Sequence, residues 1–361
     1  MVGILSARLD RRGFLRLVGL GVGSAWVFRT QGQAPRPLKL SLMPAQDVVT
    51  LAFALERNLF AKHGLPVELV CGGNTLERNA AFSAGQLDAL AVDLTSALVL
   101  LGRRVPAAIV STLFEPVPNP RNNNAIARTV ALLTHKFSNY KTLDDVIRAG
   151  PRRQITLIQP SDMEYMTDQL LLAKGVRAGD LNRYYTGVED YDRIQQIAQF
   201  LGAGSQGVPV GVLPEPHATL TEIVAEANQM GMIALADYQS VRTPPSVILF
   251  RKAVLEERGA QMSRFFAALR ESITTLNSSA REFIISTLIK AAVDICFPDL
   301  KGQELQFPAG WQEKLRIPHF PMPRALKREE FDAQVEWALS KRYLRERLAF
   351  EASVDFRYLG S

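Results

Sequence analysis

The 361 residues carry 42 Lys and Arg against 36 Asp and Glu, and 47% of them are hydrophobic, enough for one large or two medium cores. No Lys/Arg cluster with interleaved aromatics points to nucleic acid. Cys71 and Cys296 are too few for a disulfide framework and wrongly spaced for a zinc site; two buried thiols are the expectation, with a single disulfide as the alternative.

The first residues stand apart from the rest. Asp10-Arg11-Arg12-Gly13-Phe14-Leu15-Arg16 precedes an apolar run from Leu17 to Phe28 and then Gly32-Gln33-Ala34, the charged, apolar, small-residue order of an export signal. It resembles a twin-arginine signal in which Asp10 and Arg16 replace the outer two positions. That resemblance implies recognition by the twin-arginine translocase, cleavage near Ala34 and a periplasmic destination. The apolar run falls short of the roughly 20 residues that span a bilayer. Residues 1–34 hold five arginines against Asp10, so removing them leaves a net charge of about +2.

After Pro37, residues 38–43 alternate as a half-buried strand, and Asp47 to Ala61 carries apolar residues at helical spacing. Gly64 stops that helix, and Leu65 to Cys71 is predicted as the second strand. A helix over 76–84, a strand over 87–92, a helix over 95–101 and a strand over 106–113 follow, and this alternation predicts a parallel-type α/β sheet. The Pro/Asn-rich stretch 115–124 reads as an exposed loop. A second α/β set is predicted next, with strands over 129–134, 154–159, 183–186, 208–213 and 232–236 and helices over 143–148, 163–174, 191–201 and 217–227. Thr243-Pro244-Pro245 ends it. A strand over 246–250 and helices over 256–277, 280–296 and 328–341 complete the chain, with a Pro- and aromatic-rich loop over 307–323.

Several phrases in these segments carry a resemblance. Glu56 to Leu65 passes into Val67-Glu68-Leu69-Val70; Ala81 to Ser96 joins a small-residue helix to a Gly-x-Leu-Asp turn and a buried strand. Lys141 to Val146, Glu215-Pro216-His217 and Phe331 to Tyr343 complete the set. Together they resemble the periplasmic binding proteins of nitrate, sulfonate, taurine and thiamine-pyrimidine importers, over nearly all of residues 38–345. The resemblance implies a type II two-lobed α/β fold, with two parallel-type mixed sheets flanked by helices and a helical C-terminal segment. Lobe one would hold residues 35–113 plus 244–361, lobe two residues 114–243, with crossings near Ser111–Glu115 and Arg242–Ser246. It implies a monomer that closes by a hinge motion on a small-molecule ligand and delivers it to an ABC permease, with no cofactor, metal or catalytic residue. Two alternatives remain open. One is an enzyme of the same fold, akin to a thiamine-pyrimidine synthase, whose Cys-rich motif is missing here, with Asp93 and Glu215 as an acid/base pair. The other is a sensing module that docks on a membrane receptor.

Small molecules bind open α/β sheets beyond the carboxyl ends of the strands, where helix N-termini offer unpaired N–H groups. The loops at those ends supply Gln46 and Asp47; Gly73 and Asn74; Asp93, Thr95 and Ser96; Ser161, Asp162 and Tyr165; and Glu215 and His217. Each also has a structural reading. One of Asp93, Thr95 and Ser96 caps a helix, Ser161 with Asp162 suits another helix start, and Tyr165 at helical spacing suits a core. Gly72-Gly73-Asn74 lacks the phosphate-loop pattern, and His217 has no second His at metal-ligand spacing. The candidate loops carry Asp47, Asp93, Asp162 and Glu215 and no Lys or Arg. This favours a neutral or cationic, heteroaromatic solute over nitrate or sulfonate, unless Arg78, Arg103 or Arg128 turns into the cleft.

Overall fold

Short apolar runs become the strands, and some in the middle of a sheet, such as Ala89–Val92 and Val130–His135, are buried at every position. Burial on both sides is what a sheet covered by helices on each face requires. The computed structural model describes residues 36–72, 74–188, 194, 210–229, 231–302 and 309–360. In chain order the strands are β1 Leu38–Leu42, β2 Val67–Cys71, β3 Ala89–Val92, β4 Ala107–Phe114, β5 Pro118–Asn119, β6 Ala125–Ile126, β7 Val130–His135, β8 Ile155–Ile158, β9 Tyr185–Val188, β10 Val210–Pro214, β11 Met232–Ala236 and β12 Ser246–Arg251. The helices are α1 Val49–Glu56, α2 Leu59–Lys62, α3 Thr75–Ser83, α4 Leu94–Gly102, α5 Leu143–Arg148, α6 Asp162–Ala173, α7 His217–Ala227, α8 Lys252–Ser278, α9 Arg281–Ile295, α10 Trp311–Lys314, α11 Arg328–Ser340 and α12 Phe350–Ser353.

The strands form two mixed sheets. The first has the order β2-β1-β3-β12-β4, with β1, β2 and β3 parallel and β12 antiparallel to both its neighbours. The second has the order β11-β7-β10-β8-β9, with β8, β9 and β10 parallel and β7 antiparallel to β10 and β11. The chain passes between the sheets twice, through residues 115–129 and 237–245. Both passages are tied to one carboxylate cluster. Arg324 donates to Glu115 at 2.7 Å and to Glu330 at 2.9 Å, while Arg242 of the return passage donates to Glu330 at 3.2 Å.

One face of the first sheet packs Phe250 against Phe53, Phe60, Phe265 and Phe266, all fully buried, with Phe60 and Phe265 stacked at 5.5 Å. The opposite face receives Leu94 and Leu98 of α4 and Phe331 and Val335 of α11. The second sheet buries Leu132, Leu157 and Val212 with Met166 and Leu171 of α6.

The elements follow the sequence expectation with local departures. The helix expected over 47–61 is a 3-10 turn at Gln46–Val48 followed by α1 and α2, because Asn58 takes a left-handed φ of 54° and redirects the chain to bury Phe60. The stretch expected as a loop over 115–124 contributes to the β5/β6 hairpin, and the loop over 307–323 contains α10. The strand expected at Arg183 starts at Tyr185, after a 3-10 turn over Ala178–Tyr184. Residues 1–34, Gly73, the helix expected over 191–201 apart from Ile194, and the first two residues of the strand expected at 208 lie outside the described residues.

Cys71 and Cys296 form a disulfide, correcting the expectation of two thiols. The cause is packing: β2 ends beside the C-terminus of α9, which brings the two Cα atoms to 4.9 Å across 225 residues of sequence. Cross-linking so long a loop restricts the unfolded chain strongly. Replacing both cysteines by alanine should lower the unfolding free energy by roughly 2–5 kcal/mol, read as a lower urea midpoint at unchanged slope. Equal midpoints would show that the bond contributes nothing.

Candidate functional site

The carboxyl ends of β1, β3, β8 and β10 meet across the gap between the sheets. They line a cavity of 130 Å³ walled by Gln46, Asp47, Arg78, Asp93, Asp162 and Glu215, with Met163 and Met166 as apolar wall, Thr243 and Pro244 from the return passage and Ser246 at the start of β12.

Asp93 is the N-cap of α4, accepting from the Ser96 amide at 2.9 Å and the Ser96 hydroxyl at 2.6 Å. Asp162 crosses from the second sheet to the same helix end. It accepts from the amides of Leu94 and Thr95 at 3.0 and 2.9 Å, from the Thr95 hydroxyl at 2.6 Å and from Gln334 Nε2 at 3.1 Å. The free donors of an α-helix N-terminus are thereby satisfied from 68 residues away. Burial pushes the Asp162 carboxyl up to about 8, with the Asp93 charge adding to the rise and the hydrogen bonds from Thr95 and Leu94 opposing it. Burial likewise pushes Asp47 up to about 6, with Asp93 adding and Arg78 opposing.

Glu215 is spent on a different partner. It pairs with Arg128 at 2.7 Å, both side chains being almost fully buried, and accepts from the Thr219 amide at 3.1 Å. Arg128 also meets Glu222 at 2.8 Å. Glu215 is thus held by its own neighbours, while its side chain lines the same cavity as Asp93.

Of the residues expected at the site, Gln46, Asp47, Asp93, Ser161, Asp162 and Glu215 line the cavity. Ser161 does so as the cap of α6, its hydroxyl accepting from the Glu164 amide at 3.2 Å and donating to the Ile158 carbonyl at 2.6 Å. Thr95 and Ser96 stand behind the wall, giving their hydroxyls to Asp162 and Asp93. Asn74 caps α3, accepting from Glu77 at 2.8 Å, outside the cavity wall. Tyr165 packs edge-on against Trp337 at 5.4 Å, and His217 Nε2 lies 2.6 Å from the Pro44 carbonyl oxygen; neither lines the cavity. Gly73 lies outside the described residues.

Arg78 is the cation that turns inward, so the cavity wall is not free of positive charge as its loops alone suggested; there it acts on Asp47, whose carboxyl it pulls down. Its signal was its phase: it lies four residues after the Asn74 cap and four before Phe82, and the buried face of α3 holds Arg78 and Phe82.

A second polar network joins the sheets behind the cavity. Glu164 and Asp168 of α6, both fully buried, flank Lys341 Nζ at 2.7 and 3.0 Å. Tyr343 donates to Glu164 at 2.7 Å, and Trp337 Nε1 and the Tyr185 hydroxyl donate to Asp168 at 2.8 and 2.5 Å. Burial raises the Glu164 carboxyl, opposed by Lys341.

The same two-sheet arrangement occurs in solved structures. The alkanesulfonate-binding protein SsuA of Xanthomonas axonopodis pv. citri, bound to MOPS, is 14% identical with a TM-score of 0.68, over 90% of this chain and 99% of its own. The periplasmic aliphatic sulphonate-binding protein SsuA of Escherichia coli is 15% identical with a TM-score of 0.63, over 89% and 97%. The periplasmic nitrate-binding protein NrtA of Synechocystis PCC 6803 is 13% identical with a TM-score of 0.60, over 89% and 85%. These likenesses define the class by fold: the chain has the periplasmic-binding-protein architecture. Residues 31–289 match the NMT1-like family, and the chain belongs to that family. No protein of curated function matches it in sequence. Among the described residues no helix is long and apolar enough to cross a membrane.

Two outcomes follow from these groups. A carboxyl that titrates higher in the folded chain than its ordinary 3.8 contributes stability that is full below about pH 4 and is lost as pH rises, here through 6 for Asp47 and 8 for Asp162. Between pH 5 and pH 9 the thermal midpoint of the native sequence should therefore fall further than that of Asp162→Asn; parallel profiles would contradict the assignment. Lys341→Ala leaves Glu164 and Asp168 buried without their cation and should cost about 3 kcal/mol by urea unfolding. A change below about 0.5 kcal/mol would place Lys341 among surface residues in energetic terms.

Proposed function

We propose that this chain is an exported solute-binding protein that captures a neutral or cationic organic molecule between two lobes and delivers it to an ABC-type import permease. The lobes are residues 35–113 with 244–361, and 114–243. The observation that carries the reading is the cavity between the two sheets, whose wall among the described residues combines Asp47, Asp93 and Asp162 with the inward cation Arg78. Family membership and the fold shared with importer binding proteins support the transport role.

The mechanism is closure. In the open form the solute meets groups of one lobe, and closing about residues 115–129 and 237–245 completes its hydrogen bonds from the other while expelling water. The cross-sheet bonds, from Gln46 N to the Glu215 carbonyl at 2.8 Å and from His217 to Pro44, are of the kind that form in that step. Export by the twin-arginine route and an extracytoplasmic location agree with the leader sequence, and the disulfide suits an oxidising compartment. The protein acts as a monomer in this reading, with the translocase as a transient partner.

The test is a thermal-shift screen of the chain from Pro35 onward against aminopyrimidines, polyamines, riboflavin, taurine, alkyl sulfonates and nitrate. A bound solute should raise the midpoint. Asp47→Asn and Asp93→Asn should each weaken that binding at least tenfold while leaving the ligand-free midpoint within a few degrees. Absence of a shift with every compound, extended to further solute classes, would remove the solute-binding reading.

A further inference from the structure

The N-terminus of α4 is built to receive an anion, and it is already filled. Leu94 and Thr95 direct their backbone amides outward from the start of a nine-residue helix, and the Thr95 hydroxyl and Gln334 Nε2 converge on the same point. Two amides at a helix start with two side-chain donors are what a carboxylate, nitrate or sulfonate would use. The group that uses them is the Asp162 carboxyl, delivered from the opposite sheet and almost fully buried.

The remaining polar groups of the cavity ask for a different partner. Asp47 and Asp93 face it with Arg78 as their counter-charge, while Glu215 is neutralised by Arg128. Gln46 also lines the cavity and is buried. Its Nε2 donates to the Arg316 carbonyl at 3.0 Å, which fixes the amide orientation, and its Oε1 has no hydrogen-bond partner among the described residues. That buried acceptor lacks a donor. The volume sets the scale: an engineered cavity of about 150 Å³ accommodates benzene, so 130 Å³ suits a compact solute of about that size.

We infer that Asp162 is a specificity-determining residue: its carboxyl occupies the oxyanion position of the cleft from within the chain. The closed protein thereby excludes nitrate, sulfonates and carboxylates and admits a compact solute presenting a cation or N–H donors to Asp47, Asp93 and Gln46. The inference rests on the solute-binding reading and narrows it to one chemical class. Oxyanions are rejected on two grounds, since the donors that would hold them are taken and the nearest remaining side chains include two carboxylates. For a cation the same two carboxylates, Asp47 and Asp93, are counter-charges.

The experiment is chemical rescue in the full chain from Pro35. Asp162→Ala removes the internal occupant and leaves the Leu94 and Thr95 amides and the Thr95 hydroxyl without their acceptor, while Gln334 Nε2 still donates to the Thr95 hydroxyl at 2.6 Å; formate and acetate replace the missing carboxylate, and nitrate and methanesulfonate probe the wider class. Calorimetric titration and thermal shift are read for the native sequence, for Asp162→Ala and for the isosteric Asp162→Asn, with methylguanidinium and 4-aminopyrimidine as cation and N–H donor probes. Asp162→Ser, which keeps a short polar group in the first turn of α6, substitutes for Asp162→Ala if the latter lacks a cooperative urea transition. The native sequence should ignore all four oxyanions, Asp162→Ala should bind at least one of them at least tenfold more tightly, and Asp162→Asn, which still fills the space, should not gain them. Oxyanion binding by the native sequence equal to that of Asp162→Ala overturns the inference. So does a variant that binds no oxyanion while a cation probe still binds the native chain, an outcome that leaves the solute-binding reading standing. Failure of every probe of either charge on every protein overturns both.

Discussion

The structure depends on one constraint: helix starts and strand ends that face each other across a narrow gap must find their hydrogen-bond partners on the other side. A buried amide without an acceptor costs on the order of 1–3 kcal/mol, so the two sheets can approach only where donors and acceptors alternate across the boundary. The Asp162 carboxyl against the first amides of α4 meets this condition at the cavity, and Lys341 between Glu164 and Asp168 meets it behind the cavity. Apolar packing alone holds each sheet to its helices. Polar pairing sets how the sheets meet.

The C-terminal helix α11 is the element that serves both. Its apolar side, Phe331, Val335 and Ala338, completes the core over the first sheet. Its polar side reaches α6 through Gln334 and Trp337, with Lys341 and Tyr343 immediately beyond its end. Glu330 in its first turn also holds Arg324 and Arg242, so the return passage is anchored to the same helix.

Much of the architecture was legible in the sequence because the apolar periods are clean: strands such as Ala89–Val92 and Val130–His135 stand between helices capped by Asp93, Thr142 and Ser161. The site was legible in part. Loops at strand ends are local features, so Asp47, Asp93 and Asp162 could be placed at the cleft. What those side chains touch is not local. Nothing near Asp162 announces that its partner is the start of a helix 68 residues earlier, and Glu215 gave no sign that Arg128 would neutralise it. Tyr165 and His217 lie on the right segments but face Trp337 and Pro44, a matter of helix phase and of the way the sheets are set against each other. The disulfide depended on β2 and α9 meeting, which two cysteines 225 residues apart cannot reveal.

The position of β12 in the first sheet fixes an order of assembly. In the sequence of neighbours β2-β1-β3-β12-β4, the strand β4 touches the rest of its sheet only through β12, which the ribosome supplies after the whole second sheet has been made. The second sheet is drawn from continuous chain, residues 130–236, and can close on itself as it emerges. The first must leave the facing backbones of β3 and β4 unpaired until residues 246–251 arrive between them. During synthesis the layer that begins earlier in the chain is therefore the one that finishes later, and its open edge is the stretch a chaperone would have to shield.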